Sequence, residues 1–560
     1  MRIYKNFFLV ICIMVFLLES QVVMLIAITT NIKSLKFNSY IISTPILIQS
    51  DENVSIYGLP GNGTKDNPFR IENLNITTSE QVCISISYTT KCFLIQNCIL
   101  DGNEYSIYIF RVSNYSIEIK NNMCLDYIKS GIEIREAGTV QIYNNTCSSG
   151  NDWGIHASYS PNLNITENRC TKSNEGGIFL NQCNYSHISR NNITNNDKGG
   201  ILLDNCFKIE ITHNYIYKNS YQGGIRLSNS FYAHVENNTC IDNVQFNILI
   251  AYSNGSLVKN NHCYGNGDGL DILYSGYVSV INNEISTKFY GIYVRDSEFS
   301  TFRGNKLIKS EYYFYESTPE DYQTYSVCDN LINCKVFGYF TNKQGYTICE
   351  PIYGQILLSN CTNFIIKNQI IMRTGIGILV KFSKNIVIVS NNCSNNKEQG
   401  ILLSQTDNSI IKNNSIYSNQ VGIKLEKSAK NEITYNKLSN NTLWGVFLDE
   451  DSNKNAVHHN TFLNNNQYYE NSQAYDDGEG NIWYDENTKE GNYWNNYQRN
   501  GNYSIDGSAK AYDLYPLAEP PVYIPPNYYG YFAFLSLVIV IPAIILGLKR
   551  YRKRKEVYGY

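Results

Sequence analysis

Residues 199–216 read GGILLDNCFKIEITHNYI, and this pattern recurs along the chain about every 23 residues. Each repeat opens on a Gly-Ile pair, as at Gly200, and in most repeats an asparagine follows fourteen positions later, as at Asn214. Between them apolar and polar residues alternate, which is the two-residue period of a β-strand. A fixed period of this length predicts a solenoid, in which each repeat stacks on the one before it.

The strand runs within one repeat are short, and asparagine, glycine, serine and aspartate separate them. These residues favour turns. A repeat of this length therefore holds about three short strands and leaves no room for a helix, which excludes leucine-rich and helical repeats. The predicted fold is all-β, a parallel β-helix in which equivalent residues stack at about 4.8 Å, the spacing between neighbouring strands.

The asparagine at the fixed offset is predicted to point inward at a bend between two strands. Side-chain amides stacked in this way can hydrogen-bond to each other and to the backbone of the adjacent coil. In the last repeat His459 takes this offset, and Asn460 comes one position later. We therefore predict a ladder of buried asparagines along the solenoid. Its members are Asn145, Asn168, Asn191, Asn214, Asn238, Asn261, Asn283, Asn305, Asn368, Asn391, Asn414 and Asn436.

The chain has 16 cysteines, and the repeat suggests a packing role for many of them. Five alternate with Ile and Leu at the inward position two residues after the ladder asparagine, so we predict that they are small buried hydrophobic side chains. These five are Cys147, Cys170, Cys240, Cys263 and Cys393. Cys183 and Cys206 stack on neighbouring coils within disulfide reach in Cα distance, and their pairing stays open.

Apolar segments near both ends predict an exported, membrane-anchored protein. Residues 7–18 have the length of a signal-peptide core, and residues 529–548 are long and apolar enough to span a bilayer. The basic residues that follow place the C-terminal tail in the cytoplasm by the positive-inside rule. The predicted organisation is a signal peptide or N-terminal anchor at 1–30, an N-terminal cap at 31–82, β-helix coils at 83–310, an insertion at 311–353, coils at 354–465, a C-terminal cap and stalk at 466–526, a transmembrane helix at 529–548 and a basic tail at 549–560.

The charge distribution suits an exported domain and argues against nucleic acid. The formal net charge is −3 at pH 7, and the basic tail leaves the segment between the two apolar ends more acidic than this total. Nucleic-acid binding needs basic patches, so we expect no nucleic-acid partner. The expected location is the cell membrane, with one pass, an extracellular or periplasmic ectodomain and N-glycosylation sequons such as the one at Asn254.

The C-terminal motifs resemble those of a known family. Gly480–Trp483 and Gly491–Trp494 both read Gly-Asn-x-Trp, and Asp513–Leu517 reads Asp-Leu-Tyr-Pro-Leu. With the Gly-Ile and asparagine coils, these motifs resemble the NosD-type right-handed parallel β-helix proteins, which are often named periplasmic copper-binding proteins and are grouped with carbohydrate-binding and sugar-hydrolase β-helices. The resemblance covers residues 54–518 and implies a right-handed helix. It also implies metal delivery, from the copper label, and membrane-anchored members occur among archaeal surface proteins.

One outward column of the Gly-Ile strands carries apolar, aromatic and charged side chains. Exposed apolar and aromatic residues in one row indicate a strip that is either ligand-facing or covered by another part of the chain. The aromatic members could stack on sugar rings, whereas the alternative is that the insertion or a cap packs over this strip. The candidate ligand-binding residues are Phe179, Leu202, Arg226, Asp271 and Tyr293.

Candidate metal ligands are few. Oxygen ligands for calcium occur together in the C-terminal cap, although their spacing matches no defined loop. They are Asp476, Asp477, Glu479 and Asp485. His458 and His459 are adjacent, but neighbours in a strand point to opposite faces, so we do not expect them to share a metal. No cofactor is required by the sequence, and calcium or copper is the candidate if one binds.

The coils lack a compact catalytic group. Asp204 and Asp271 lie three coils apart, about 14 Å at the strand spacing, which is too far for the paired carboxylates of a glycoside hydrolase. We therefore predict no catalytic residues and favour a non-enzymatic surface protein that presents a rod for glycan or envelope binding. Two alternatives stay open, a polysaccharide-modifying enzyme of the lyase, hydrolase or epimerase type and a NosD-like copper-delivery protein. The expected partners are the membrane, through the C-terminal helix, and surface glycans or envelope proteins.

Overall fold

The structure, a computed structural model, describes residues 40–113, 117–467 and 472–522. The predicted signal segment at 1–30, transmembrane helix at 529–548 and basic tail at 549–560 lie outside the described residues. Within the described ranges no helix is long and apolar enough to cross a membrane. The helices there are a 3-10 helix at Glu52–Tyr57 and a short α-helix at Pro319–Gln323, so this part of the chain is all-β, as predicted.

The chain winds into two consecutive stacks of coils. The first stack has three parallel sheets, and each of its coils adds one strand to each sheet. The first sheet holds the Gly-Ile pairs, and we call it the Gly-Ile sheet. Its strands are Ile46–Ile48, Val82–Ser87, Tyr105–Phe110, Ser130–Arg135, Trp153–Ser158, Gly176–Asn181, Gly199–Asp204, Ile225–Ser228, Phe246–Ala251, Asp268–Leu273, Ile292–Arg295 and Tyr312–Tyr315. The second sheet has the strands Phe69–Glu72, Phe93–Gln96, Ile117–Lys120, Gln141–Tyr143, Asn164–Thr166, His187–Ser189, Glu210–Thr212, His234–Glu236, Leu257–Lys259, Ser279–Ile281, Thr301–Arg303 and Ser326–Cys328. The third has Ile41–Ile42, Leu74–Thr78, Ile99–Gly102, Met123–Leu125, Thr146–Ser148, Arg169–Thr171, Asn192–Thr194, Tyr215–Tyr217, Thr239–Ile241, His262–Gly265, Glu284–Thr287, Lys306–Leu307 and Leu331–Ile332.

The second stack starts from a hairpin at the end of the third sheet. Lys335–Thr341 pairs antiparallel with Leu331–Ile332 and parallel with Tyr353–Ser359, the first Gly-Ile strand of the new stack. The other Gly-Ile strands here are Ile378–Lys381, Gln399–Ser404, Val421–Glu426, Val446–Leu448 and Ala474–Asp476. The second sheet of this stack has the strands Thr347–Ile348, Ile365–Lys367, Val387–Val389, Ile410–Lys412, Glu432–Thr434 and Ala456–His458. The third has Ile370–Met372, Asn392–Ser394, Ser415–Tyr417, Lys437–Ser439, Thr461–Leu463 and Tyr493–Trp494. A final antiparallel pair joins Tyr503–Ser504 to Tyr512–Asp513.

Coils stack in register because the repeat length is nearly constant. Ile178, Ile201 and Ile225 are register partners on successive strands, and all three are fully buried. The preceding glycine is needed where the chain enters this strand. A Cβ on Gly200 would lie 2.3 Å from the carbonyl oxygen of Gly224 on the next coil, so a larger residue would push the coils apart.

The ladder asparagines are buried and hydrogen-bond from coil to coil. The Asn191 side chain donates through Nδ2 to Asn214 Oδ1 and to the Ile165 carbonyl, both at 2.9 Å, and its backbone N–H donates to the same Oδ1. The same pattern runs from Asn122 to Asn330 in the first stack. Each side-chain amide thereby forms hydrogen bonds with a backbone N–H and a backbone carbonyl at the bend, where the sheets offer these groups no partner.

One predicted ladder member is wrong. Gln369 occupies the ladder position, since its backbone N–H donates to Asn391 Oδ1 at 2.9 Å. Asn368 is instead the turn residue before it, with a left-handed φ of 58°. The second-stack ladder ends through Asn436, Asn460 and Asn492.

The segments predicted as a cap and an insertion contain coil strands. Ile46–Ile48 and Phe69–Glu72 already belong to two sheets of the first stack, so its first coil lies before residue 83. Tyr312–Tyr315 and Ser326–Cys328 form the last coil of the first stack, and the helix Pro319–Gln323 projects from it. The break in the period therefore marks the place where one stack ends and the other begins.

The five aligned cysteines are core residues, which confirms the prediction of buried hydrophobic side chains. All five have no solvent exposure. Cys183 and Cys206 are free thiols, with the Cys183 N–H donating to Cys206 Sγ at 3.4 Å.

The Gly-Asn-x-Trp motifs close the C-terminal end of the second core. Trp483 and Trp494 are buried, and their indole Nε1 groups donate to Asp476 Oδ2 and Asp513 Oδ2, each at 2.8 Å. Asn492 of the second motif is the last rung of the asparagine ladder. The Gly-Asn-x-Trp motifs, on which the family resemblance rests, therefore cap the hydrophobic core at this end of the solenoid.

Candidate functional site

The end of the first stack packs against the outward face of the second-stack Gly-Ile sheet. The last Gly-Ile strand of the first stack, Tyr312–Tyr315, is capped by the side chain of Gln355. Gln355 Oε1 accepts from the Tyr312 N–H and Nε2 donates to the Tyr312 carbonyl, both at 3.0 Å. Leu379 and Leu402 on the outward face join the core cluster of the first stack. In the second stack, part of the outward strip is therefore covered.

A cavity of about 890 Å³ opens beside this contact, and we call it the junction cleft. Tyr290 and Glu311 line it from the first stack, and Lys397 and Glu398 line it from the second. Lys397 Nζ donates to the Thr287 carbonyl at 2.9 Å, which links the two stacks. The cleft exists because the two stacks meet, and concave sites between structural units are common ligand sites.

Three half-buried tyrosines, Tyr290, Tyr293 and Tyr313, form a row that begins at the junction cleft. Tyr290 lines the cleft, and Tyr313 lines a second cavity of about 550 Å³. The ring centroids of Tyr290 lie 5.3 Å from Tyr293 and 5.1 Å from Tyr313. Tyr293 and Tyr313 stack within 8° of parallel at 5.8 Å. Mutually packed rings lose little freedom when a ligand stacks on them, and their hydroxyl groups add hydrogen-bonding capacity.

Two aspartates lie next to this tyrosine row. Asp268 Oδ1 accepts the Tyr290 N–H at 2.8 Å, and burial raises the pKa of Asp268 to about 6. Asp271 is 9% exposed between its register partners Leu249 and Tyr293, and its Oδ1 has no hydrogen-bond partner among the described residues. Burial and then the charge of Asp268 raise the pKa of Asp271. A buried oxygen without a partner is uncommon, and a ligand hydroxyl could satisfy it.

Glu311 is the most deeply buried acid of the cleft. Its Oε2 accepts the Ile376 N–H at 2.8 Å, and its side chain lies directly against Gly375. Burial, followed by the nearby charge of Glu398, raises the pKa of Glu311 to about 8. At neutral pH the Glu311 carboxyl therefore holds its proton, and in this form it can donate a hydrogen bond to a ligand.

The raised pKa of Glu311 predicts that stability falls as pH rises. Its folded-state pKa lies above the ordinary value of 4.5, so the folded state holds the proton more tightly than the unfolded chain. The contribution is complete below about pH 4.5 and is lost as pH rises through about 8. We expect the free energy of unfolding to drop by on the order of 2–4 kcal/mol across this window, and Glu311→Gln to remove most of that drop. Urea unfolding at pH 5 and pH 8.5 measures it, with the exposed Glu450→Gln as control, and an unchanged pH dependence in Glu311→Gln would contradict it.

The five predicted ligand-binding residues share one outward column but divide between two places. Phe179, Leu202 and Arg226 line a separate cavity of about 490 Å³. There Phe179 stacks on His156 at 5.1 Å, and Arg226 Nε donates to Ser228 Oγ at 3.0 Å. The other two, Asp271 and Tyr293, lie beside each other on neighbouring strands, and Tyr293 packs against the cleft residue Tyr290.

The four predicted calcium ligands do not converge. Asp476 accepts from Trp483 and Asn481, and Asp477 accepts the Ser508 N–H. Glu479 contributes backbone contacts with residues 453 and 454, whereas the Asp485 carboxylate caps the turn at residues 487 and 488. The carboxylates of Asp476, Asp477 and Asp485 thus accept hydrogen bonds within the cap, and the four predicted ligands form no common oxygen cage.

The structure instead brings together His458, His459 and Asp485, whose ligand atoms all lie within 4.8 Å of one another. Our expectation that the two histidines face apart is wrong. His459 has a left-handed φ of 55°, so the chain leaves the strand there and both rings turn to one side. Their Nδ1 atoms are 2.7 Å apart. The sequence holds a signal for this, because His459 precedes ladder residue Asn460 and the residue before every rung from Asn122 to Asn436 also has a left-handed φ.

The comparisons with known proteins agree with this architecture. Residues 61–229 and 176–322 match the family model described as "Right handed beta helix region", so the chain is a right-handed parallel β-helix repeat protein. Residues 323–503 match the model described as "Periplasmic copper-binding protein (NosD)". Together with the two stacks of coils, these matches support a NosD-type right-handed β-helix repeat protein. A search of curated proteins finds no match.

Several solved structures are similar to this chain at low identity. The Siphovirus 9NA tailspike receptor binding domain is 11% identical, with coverage of 66% of this chain and 76% of that chain and a TM-score of 0.27. A PL6 family alginate lyase is 10% identical, with coverage of 79% and 93% and a TM-score of 0.27. The A-module of the Azotobacter vinelandii mannuronan C-5 epimerase AlgE6 is 11% identical, with coverage of 74% and 88% and a TM-score of 0.19.

Proposed function

We propose that this protein is a cell-surface β-helix protein whose junction cleft binds a glycan without changing it. The observation that carries the proposal is the row Tyr290, Tyr293 and Tyr313 beside a cavity of about 890 Å³. Half-exposed aromatic rings offer apolar faces to a sugar ring, and Asp271 Oδ1 offers a buried polar atom without a partner. Such a combination of aromatic surface with a few placed polar groups is what a small ligand site needs.

The proposed location follows from the sequence. The apolar segment at 529–548 and the basic residues after it would anchor the chain, with the solenoid outside the membrane. The solenoid would then hold the junction cleft outside the membrane, in the space where envelope glycans occur.

Binding to isolated cell-surface polysaccharides tests this proposal. Full-length protein is titrated with each polysaccharide by calorimetry, and the polysaccharide is then recovered and analysed. We expect saturable binding to at least one glycan, with no new reducing ends and no unsaturated uronate absorbance. A folded protein that binds none of the panel would overturn the proposal.

A polysaccharide-modifying enzyme is the first alternative, and one observation favours it. The carboxyls of Glu311, which lines the cleft, and of nearby Asp268 and Asp271 all have raised pKa values, and such groups cluster at sites of acid–base chemistry. New reducing ends or unsaturated products in the same experiment would place this alternative first. Glu311→Gln and Asp271→Asn would then be expected to abolish the product.

Copper delivery, suggested by the matched family description, is the second alternative. Cu(I) favours thiolate and thioether ligands. The aligned coil cysteines, such as Cys147 and Cys170, are fully buried in the core among strands, which leaves them unsuited to exchange metal with a partner. We therefore rank copper delivery below glycan binding.

A further inference from the structure

We propose that His458, His459 and Asp485 form a binding site for one divalent transition-metal ion, such as Zn(II) or Cu(II), at the C-terminal end of the solenoid. The site is distinct from the junction cleft, and the proposal does not depend on glycan binding. It rests on how the two imidazole rings are held.

The first step concerns which nitrogen of each ring carries the proton. His459 Nε2 lies 2.8 Å from Glu490 Oε2, and His458 Nε2 lies 3.8 Å from Glu432 Oε1. The first contact is a hydrogen bond and favours the proton on His459 Nε2, as in the carboxylate–histidine pairs that orient metal ligands, whereas the second is an electrostatic contact that is too long for a hydrogen bond. In the neutral His459 ring the lone pair is then left on Nδ1.

The second step concerns what lies between the rings. The two Nδ1 atoms are 2.7 Å apart, so without an ion the neutral pair shares one proton, which His458 Nδ1 donates to the lone pair of His459 Nδ1. An ion that replaces this proton leaves both Nδ1 lone pairs free to bind it. Two nitrogens this close can both reach an ion at the ordinary metal–nitrogen distance of about 2.0–2.1 Å. The Asp485 carboxylate lies within 4.8 Å of both and supplies a third ligand with negative charge.

The third step concerns rigidity. The Tyr435 ring stacks on His459 at 4.9 Å and within 11° of parallel, which fixes the plane of the imidazole. The His459 N–H donates to the Gly491 carbonyl at 2.7 Å, and the Asp485 N–H donates to the Glu490 carbonyl at 2.8 Å. The cap loop that carries Asp485 is thereby tied to the coil that carries the histidines. Preorganised ligands of this kind lower the cost of binding an ion.

The donor set indicates the class of metal. Two imidazole nitrogens and one carboxylate suit the borderline divalent ions, whereas Cu(I) prefers sulfur and calcium prefers an all-oxygen cage. Three protein ligands leave a fourth position for water or an exchangeable group.

Metal titration of the full-length protein tests the site. Chelator-treated protein is titrated with Zn(II), Cu(II) and Co(II) by calorimetry, and Co(II) is also followed by visible absorption, whose intensity reports a tetrahedral site. We expect one ion per chain at the site, at least a hundredfold weaker binding in His458→Asn and His459→Asn, and about tenfold weaker binding in Asp485→Asn. His187→Asn is the matched control, since His187 also contacts a carboxylate, Glu210 at 3.2 Å, but has no second histidine. This control is expected to bind like the wild type.

Asp485→Asn keeps the test decisive if a buried histidine variant fails to fold, because Asp485 lies in a surface loop. Wild-type protein without saturable binding of any of the three ions would overturn the proposal. Equal affinity in the wild type, His459→Asn and Asp485→Asn would overturn it as well, since the ion would then bind elsewhere.

Discussion

Replacing Asn214 by alanine is expected to destabilise the first stack by about 3–5 kcal/mol. Asn214 Nδ2 donates to the Ile188 carbonyl at 2.9 Å and to Asn238 Oδ1 at 3.0 Å. Its Oδ1 accepts both the backbone N–H and Nδ2 of Asn191, each at 2.9 Å. Alanine removes these four bonds and a fifth, from Nδ2 to the Thr212 carbonyl at 3.2 Å, in a buried place where water cannot replace them. Each polar group left without a partner costs about 1–3 kcal/mol.

Urea unfolding followed by circular dichroism measures this effect, and amide hydrogen exchange locates it. Because the stability of a solenoid comes from contacts between neighbouring coils, the loss of protection should centre on the coils beside residue 214. Asn192→Ala is the control, since Asn192 lies in an adjacent strand with its side chain exposed. We expect this control to change stability by less than about 0.5 kcal/mol. Similar values for the two variants would show that the ladder is not a major source of stability.

The double variant Tyr290→Ala and Tyr293→Ala is expected to weaken glycan binding about a hundredfold. The two rings pack together at 5.3 Å, and each removes apolar surface that a sugar ring would cover. A tenfold loss for each ring corresponds to about 1.4 kcal/mol, which is within the range for an aromatic contact in a binding site. Calorimetry with the glycan identified in the wild type measures the change.

Two further variants locate the binding surface. Tyr221→Ala removes an exposed tyrosine outside the cleft and should leave the affinity unchanged. Phe179→Ala alters the separate cavity of about 490 Å³ and should also have no effect. If Phe179→Ala weakens binding while the tyrosine double variant does not, the glycan lies on the coil face and the junction cleft is not its site.

The repeat predicted the coils well because each coil obeys a local rule. The period of the Gly-Ile pairs places Ile178, Ile201 and Ile225 on one stacked column, and that column follows from spacing alone. Asn368 shows the limit of this reasoning, because a one-residue shift in coil length moved the ladder position to Gln369. The repeat period predicts which positions of a coil are buried, but it does not predict where a turn gains or loses one residue.

The candidate site could be predicted only in part. Asp271 and Tyr293 were found because they belong to the outward column of the repeat. Glu311 and Lys397 are 86 positions apart in the chain, and they meet only because the second stack packs across the end of the first. The sequence signals that contact only as a break in the period near residue 311, and no local pattern says which side chains the break brings together.

A crystal structure of the protein with a bound oligosaccharide of the identified glycan tests the central claim most directly. Our account predicts a sugar ring stacked on the row Tyr290, Tyr293 and Tyr313, with a hydroxyl group within hydrogen-bond distance of Asp271 Oδ1. An oligosaccharide bound over Phe179 and Arg226, or anywhere else away from the junction cleft, would contradict it.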